Sequence, residues 1–259
     1  MKTIKILAFV FVVVFIASCQ KVIHIDLNAA APKYVIEGQI TDSPMTPYWV
    51  DITQSVSFES DNTFPTISGA KVVMSDTTLH ISDTLVEVTP GHYQGGILTR
   101  VYGHVYGLDI THNGNHFTSY STMPQPVALD SVIIGKGTFR NPYSVIAGFI
   151  DPAVSGNFYR LQVIVNGVLE NSIFITSDKL INGQARAITL RTDAELKQYD
   201  EVGVALSCID SGTYVYLSTL RQSSNQNSGT PANPTSNING GALGFFSAHT
   251  TSVKGTIIQ

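Results

Sequence analysis

Few residues of this chain have the type and spacing to do chemistry, and the best placed is Cys19. Lys2 and Lys5 give a positive start, Ile6 to Ala17 form an unbroken apolar run, and Ala17-Ser18-Cys19 closes it. A charged start, a short apolar core and small residues before a cut describe a secretory signal. The run is about a dozen residues, shorter than the ~20 that a spanning helix needs. A cysteine directly after Ala17-Ser18 makes a lipobox, so residues 1–18 are expected to be removed and Cys19 to carry acyl chains. Lipid on Cys19 would hold the rest of the chain at a membrane.

The remaining reactive side chains are scattered. His112 and His116 are four apart, a zinc spacing only on a helix, and here they straddle the hairpin turn Asn113-Gly114. The polar stretch Ser55 to Pro65 holds Glu59, Asp61 and Asn62 but lacks the glycine and terminal glutamate of a calcium loop. No Gly-x-Ser-x-Gly elbow, phosphate loop or dinucleotide fingerprint occurs. Asp151, Asp178 and Asp193 are the acids that a glycoside-hydrolase pair could draw on, although they read more simply as turn residues. Cys208 follows Val202, Val204 and Leu206 in alternation and is expected to be a buried apolar thiol. With Cys19 lipidated it has no partner for a disulfide. The chain therefore reads as non-catalytic, with no cofactor and no metal site.

Binding is easier to support. Tyr48, Phe58, Phe64, Phe139 and Tyr143 are aromatics in or beside polar loops, where rings anchor partners. Trp49 is expected instead to plug the core at a strand end. Asn233 and Asn237 can bond their own loop backbone, and with Phe245 they mark the stretch Pro231–Phe246 as the first candidate contact region. The binding candidates are thus Phe58, Tyr143, Asn233, Asn237 and Phe245.

The elements that must position these residues are nearly all strands. Tyr34 to Ile40 alternates with period two, Trp49 to Thr53 follows, and Ile67 to Met74 is a turn into a strand. Ile81 to Val88 reads as one strand or hairpin, and Tyr106 to Tyr120 as a hairpin. Turns at about ten-residue intervals make residues 33–123 a β-sandwich. Met123-Pro124-Gln125-Pro126 is the predicted boundary, because proline cannot donate to a ladder. Strands resume at Leu129–Ile134, Ser144–Ile150, Tyr159–Val165, Leu169–Ile175, Arg186–Leu190 and Glu201–Leu206, with Arg160 and Gln162 facing out. Asn166-Gly167 is the strongest hairpin signal. One short helix is predicted over about 211–222, capped by Asp210. A long polar loop, 223–241, leads to strands at Ala242–Ala248 and Val253–Ile258. The expectation is all-β: a tether over 19–32, then two β-sandwich domains, 33–123 and 127–259.

Composition narrows the partners. Removing residues 1–18 takes two lysines and no acid from 15 basic and 19 acidic residues, which moves the formal charge from −4 to −6. Nucleic acid is excluded as a partner, since it wants clustered Lys and Arg. Charged residues are 13% of the chain, well below the usual ~25%, so the surface is built from Ser, Thr, Asn and Gly instead.

Several stretches together resemble one family, the exported lipoproteins of Bacteroidota classed as domain of unknown function 4249. They are Cys19 to Leu27, Tyr34 to Gly38, Ser68 to Val72, Thr118 to Pro124, Asp130-Ser131, Phe158 to Arg160, Ser177-Asp178, and above all Pro231 to Phe246. The resemblance implies an outer-membrane lipoprotein with an immunoglobulin-like front half, acting beside a TonB-dependent receptor. No catalytic residues come with it. A module binding glycan, peptide or host matrix is the alternative, and a hydrolase a more distant one.

Overall fold

Ile36, Gly38 and Ile40 turn inward and are buried, while Glu37 and Gln39 between them face out. That period of two repeats along most strands of the chain. The computed structural model of the protein describes residues 31–57, 63–139, 141–179, 182–224 and 233–259. The signal, Cys19, nearly all of the tether and Phe58 lie outside the described residues.

In chain order the first strands are β1 (Tyr34–Thr41), β2 (Tyr48–Gln54), β3 (Lys71–Asp76), β4 (Ile81–Thr84), β5 (Val86–Thr89), β6 (His92–Gly95), β7 (Val105–His112) and β8 (Asn115–Thr122). There follow β9 (Leu129–Lys136), β10 (Tyr143–Ile150), β11 (Phe158–Val165), β12 (Val168–Leu169), β13 (Phe174–Ser177), β14 (Ala185–Leu190) and β15 (Glu201–Ile209). The chain closes with helix α1 (Ser211–Ser224), β16 (Ile238–Asn239) and β17 (Leu243–Ile257). Among the described residues no helix is long and apolar enough to span a bilayer.

These strands form a nine-stranded sheet in the order β12-β11-β15-β17-β1-β2-β6-β5, with β13 paired to β11. A five-stranded sheet, β16-β8-β7-β3-β4, and a three-stranded one, β14-β10-β9, complete the fold. Among the described residues the fold is all-β and sandwich-like with one helix. One buried cluster joins Ile36, Val50 and Ile52 of the large sheet to Val72, Leu108 and Ile110 of the five-stranded sheet. A second joins Leu161, Val204 and Leu206 to Val145, Phe149 and Leu190 of the three-stranded sheet. Cys208 is buried in that second cluster.

The two clusters divide the outgoing chain between Met123 and Val127. The returning chain crosses that division, because Ile238, Ala242, Phe246 and Ala248 all belong to the first cluster. β17 is the reason. Its first half pairs parallel with β1, from Val35↔Leu243 to Thr41↔His249. Its second half pairs antiparallel with β15, from Cys208↔Thr250 to Glu201↔Ile257. Residues 32–259 accordingly form one compact unit.

Several elements differ from the sequence expectation for identifiable reasons. The stretch Ile81–Val88 splits at buried Leu85, whose N–H bonds Val72 O at 2.9 Å, so β4 and β5 enter different sheets. The strand expected over Leu169–Ile175 is two short pieces, β12 and β13. The two strands expected near the C-terminus are a single one of 15 residues. Its polar middle hid the continuity, but two of its hydroxyls are partnered: Ser252 Oγ accepts Leu129 N–H at 2.9 Å, and Thr251 Oγ1 lies 3.0 Å from Ser207 Oγ. Both Asn-Gly hairpins are two-residue turns with positive φ at each position, Asn113 and Gly114, Asn166 and Gly167. Tyr48, not Trp49, plugs the core: it is 1% exposed, while Trp49 is half-buried on the other face.

Candidate binding face

Period-two alternation gives the nine-stranded sheet an outer face opposite both cores, and the polar residues of five long strands and β6 meet there. Across the ladder Arg160 is level with Ser207, and Ser207 with Thr251. Glu37 is level with Phe245, Gln39 with Ser247 and Thr41 with His249. On the other side of β1, Glu37 faces Asp51 and Gln39 faces Trp49. Asp51 in turn faces His92, and Trp49 faces Gln94.

Helix α1 covers one part of this face. Asp210 caps it, accepting Thr213 N–H at 2.8 Å through Oδ1, and its other oxygen accepts the Ser121 hydroxyl at 2.7 Å. The capped helix lays Tyr216 on Phe245, stacked with centroids 4.8 Å apart, and Tyr214 on Phe158 at 4.8 Å. Ile209, Tyr216 and Leu217 form a third, smaller apolar cluster there.

Beside that cover the chemistry is polar and strained electrostatically. Glu37 and Asp51 are carboxylates placed directly opposite each other, an arrangement that destabilises a sheet. Partial burial raises the Glu37 carboxyl, Asp51 raises it further, and Arg160 counteracts both. By residue Glu37 is nonetheless exposed, in contrast to its buried neighbours Ile36 and Gly38. Burial lowers the Arg160 guanidinium, with Glu37 opposing. His249 is 8% exposed and held neutral, its pKa brought down to about 4 by burial and then by Arg160. Burial and Glu37 push Tyr216 up to about 12. Asp51 is anchored by His92 Nδ1 at 2.5 Å, while His92 Nε2 lies 2.9 Å from Gln94 Nε2.

The residues singled out by sequence fall in different places. Phe245 is on this face, beneath Tyr216. Asn237 lies just behind it and works structurally. Its Nδ2 donates to Phe246 O at 2.7 Å, and its Oδ1 accepts Phe246 N–H at 2.9 Å. Asn233 is exposed on the chain leading into β16. Tyr143 stands on the three-stranded sheet, half-buried against the second core beside a 580 Å³ groove. Cys19 and Phe58 are not among the described residues. His112 and His116 point to opposite faces of their hairpin, because His112 pairs with Asn115 and Thr111 with His116. His112 Nδ1 meets Tyr34 OH at 2.8 Å, and His116 Nε2 meets Asp109 at 2.8 Å.

The three acids considered for hydrolysis are tied elsewhere. Asp151 accepts Tyr159 OH at 2.5 Å and Gly183 N–H at 2.9 Å. Asp178 accepts the N–H groups of Gly156 and Asn157 at 2.6 and 2.9 Å. Asp193 accepts the Ser172 hydroxyl at 3.3 Å. Sequence reasoning placed Arg160 facing outward but did not find Glu37, Asp51, Ser207 or His249. The signal that unites them is strand order, and the relevant strands are separated by tens of residues.

Comparison with known proteins adds the following. A sequence profile described as "Domain of unknown function (DUF4249)" matches residues 20–254. Among curated proteins no match is found. Among solved structures there is similarity to the chicken interferon gamma receptor alpha chain. It is at 9% identity and a TM-score of 0.23, covering 69% of this chain and 90% of that one.

Proposed function

We propose, from the premise that the chain belongs to the DUF4249 family, that it is a lipid-anchored, non-catalytic binding protein of the outer membrane. In this reading Cys19 carries the acyl chains, and the protein serves as accessory to a TonB-dependent transporter in nutrient uptake. The outer face of the nine-stranded sheet is the contact surface. One observation carries the binding role: Glu37 and Asp51 oppose each other on a rigid sheet while Arg160 stands nearby without an ion pair among the described residues. Such an arrangement costs stability in the free protein and is relieved when a partner supplies the missing charges. The signal, the apolar run and Ala17-Ser18-Cys19 support export and anchoring.

Affinity purification of the full chain from detergent-solubilised outer membranes tests the accessory role. Recovery of a TonB-dependent receptor by mass spectrometry is the expected result, and its repeated absence would sink the reading. For the anchor, Cys19→Ala is expected to abolish incorporation of labelled palmitate. Undiminished labelling would contradict it.

A further inference from the structure

We propose that β9 is the seam of a two-fold dimer, in which its free edge pairs antiparallel with β9 of a second copy of this chain. This surface is distinct from the outer face of the nine-stranded sheet, and pairing there goes beyond the binding role of that face. β9 ends the three-stranded sheet and pairs with β10 alone. Among the described residues it is the longest strand that ends a sheet, at 8 residues. The other sheet-ending strands, β4, β5, β12, β14 and β16, have 4, 4, 2, 6 and 2. A short edge offers little to an incoming strand, whereas a long one presents a row of open N–H and C=O groups. Contacts from β17 hold only the start of β9: Ser252 Oγ accepts Leu129 N–H at 2.9 Å, and Lys254 Nζ donates to Asp130 O at 2.5 Å. Further along, β9 borders the 580 Å³ groove, whose other wall is residues 256–259. No β10 residue beyond Tyr143 lines that groove, so it lies on the unpaired side of β9.

The charges on β9 point to a second copy as the occupant. Asp130 and Lys136 are exposed near opposite ends of the strand, and neither side chain has an ion-pair partner among the described residues. In an antiparallel pair about a two-fold axis at Ile133, Asp130 is level with the partner's Lys136, and Lys136 with the partner's Asp130. Between those ends Ser131 meets the partner's Gly135, Val132 the partner's Ile134, and Ile133 its own counterpart. That run carries no charge. Any other register separates both ion pairs, so the strand's own charges fix the alignment. The irregularity in the β9–β10 ladder, between Gly148 and Phe149, falls level with Asp130 and outside the run. Val132 and Ile134 already pack on the second core, and pairing continues that core across the axis. Ile133, 55% exposed, is covered by its counterpart. β1 and β17 run parallel with Val35 level with Leu243, so the tether enters at the end of β17 remote from the groove and leaves the seam clear.

Disulfide trapping in membranes of cells producing the full chain tests this, with Ile133→Cys and a mild copper oxidant. Residues paired across an antiparallel ladder have Cα atoms about 4.5–5.5 Å apart, within the span of a disulfide. Cys208 is buried and takes no part. The variant is expected to run as a covalent dimer of two copies on a non-reducing gel, and Val168→Cys, exposed on β12, to stay monomeric. Adding Asp130→Lys to Ile133→Cys sets like charges level at both ends and is expected to lower the trapped fraction about tenfold. Adding Lys136→Asp as well reverses both pairs and is expected to restore it. Native mass spectrometry of the unaltered chain in detergent should show the same dimer, which keeps the inference testable should a variant fail to fold. A folded Ile133→Cys that stays monomeric, or one that forms its disulfide with a different protein, overturns the inference. So do equal trapping from Val168→Cys, trapping insensitive to Asp130→Lys, no rescue by the charge exchange, or an unaltered chain found only as monomer.

Discussion

Asn237 holds both backbone groups of Phe246 at once, and Ser119 Oγ donates to Asn237 O at 2.8 Å, so one side chain substitutes for a stretch of ladder. Asn237→Ala would leave the N–H of Phe246 unmet inside the protein and its carbonyl with only the long 3.5 Å bond from the Thr213 hydroxyl. The expected loss is about 2–4 kcal/mol in urea unfolding, with the fold retained. A loss under about 0.5 kcal/mol would show that water replaces the amide fully. His249 supplies a pH dependence. Its pKa falls from 6.5 to about 4 in the folded chain, so between those values the unfolded chain takes up a proton that the folded chain refuses. Stability is therefore lost as pH falls through that window, at up to about 1.4 kcal/mol per pH unit. Asp76 acts lower down. Burial alone would raise its carboxyl, but hydrogen bonds from His104, Leu79 and Thr78 hold it below the ordinary 3.8, so its contribution goes only in stronger acid. Urea midpoints measured at pH 6.5 and 5 should thus fall less in His249→Gln than in the parent, and equal slopes would refute the assignment.

At the level of elements, β17 decides the fold, and Gly244 decides β17. Its φ is +96°, and a Cβ there would sit 1.9 Å from Ile36 O, inside the parallel pairing with β1. Gly244→Ala is expected to cost at least about 3 kcal/mol or to prevent soluble folding. A variant melting within a degree or two of the parent would show that β1 and β17 can separate locally without harm. The strands themselves were largely readable, because alternation in Tyr34–Ile40 and Tyr159–Val165 and the two Asn-Gly turns act through local sterics. Helix α1 was readable for the same reason, through Asp210 and the residues after it. The unbroken run of β17 was not, since His249 to Ser252 show no apolar alternation, and Thr251 and Ser252 are held by the Ser207 hydroxyl on β15 and the Leu129 N–H at the start of β9.

For the molecule as a whole, β17 lends residues to the first core with one half and pairs with β15 over the second core with the other. Alternation can say that Arg160 faces out, but not that Ser207 and Thr251 stand level with it in the ladder. Those neighbourhoods follow from a parallel pairing between strands some 200 residues apart in the chain, closed by burying Phe246 and Ala248 against Ile36 and Ile40. The same geometry faced with period two is what turns scattered polar residues into one surface. Site-specific photo-crosslinking in intact cells tests that surface directly, with a photoreactive residue at Gln39 on the outer face or at Thr118 on the five-stranded sheet. The account predicts that Gln39 captures a TonB-dependent receptor and Thr118 does not. Capture from Thr118 alone, or from neither position in a correctly anchored protein, would contradict it.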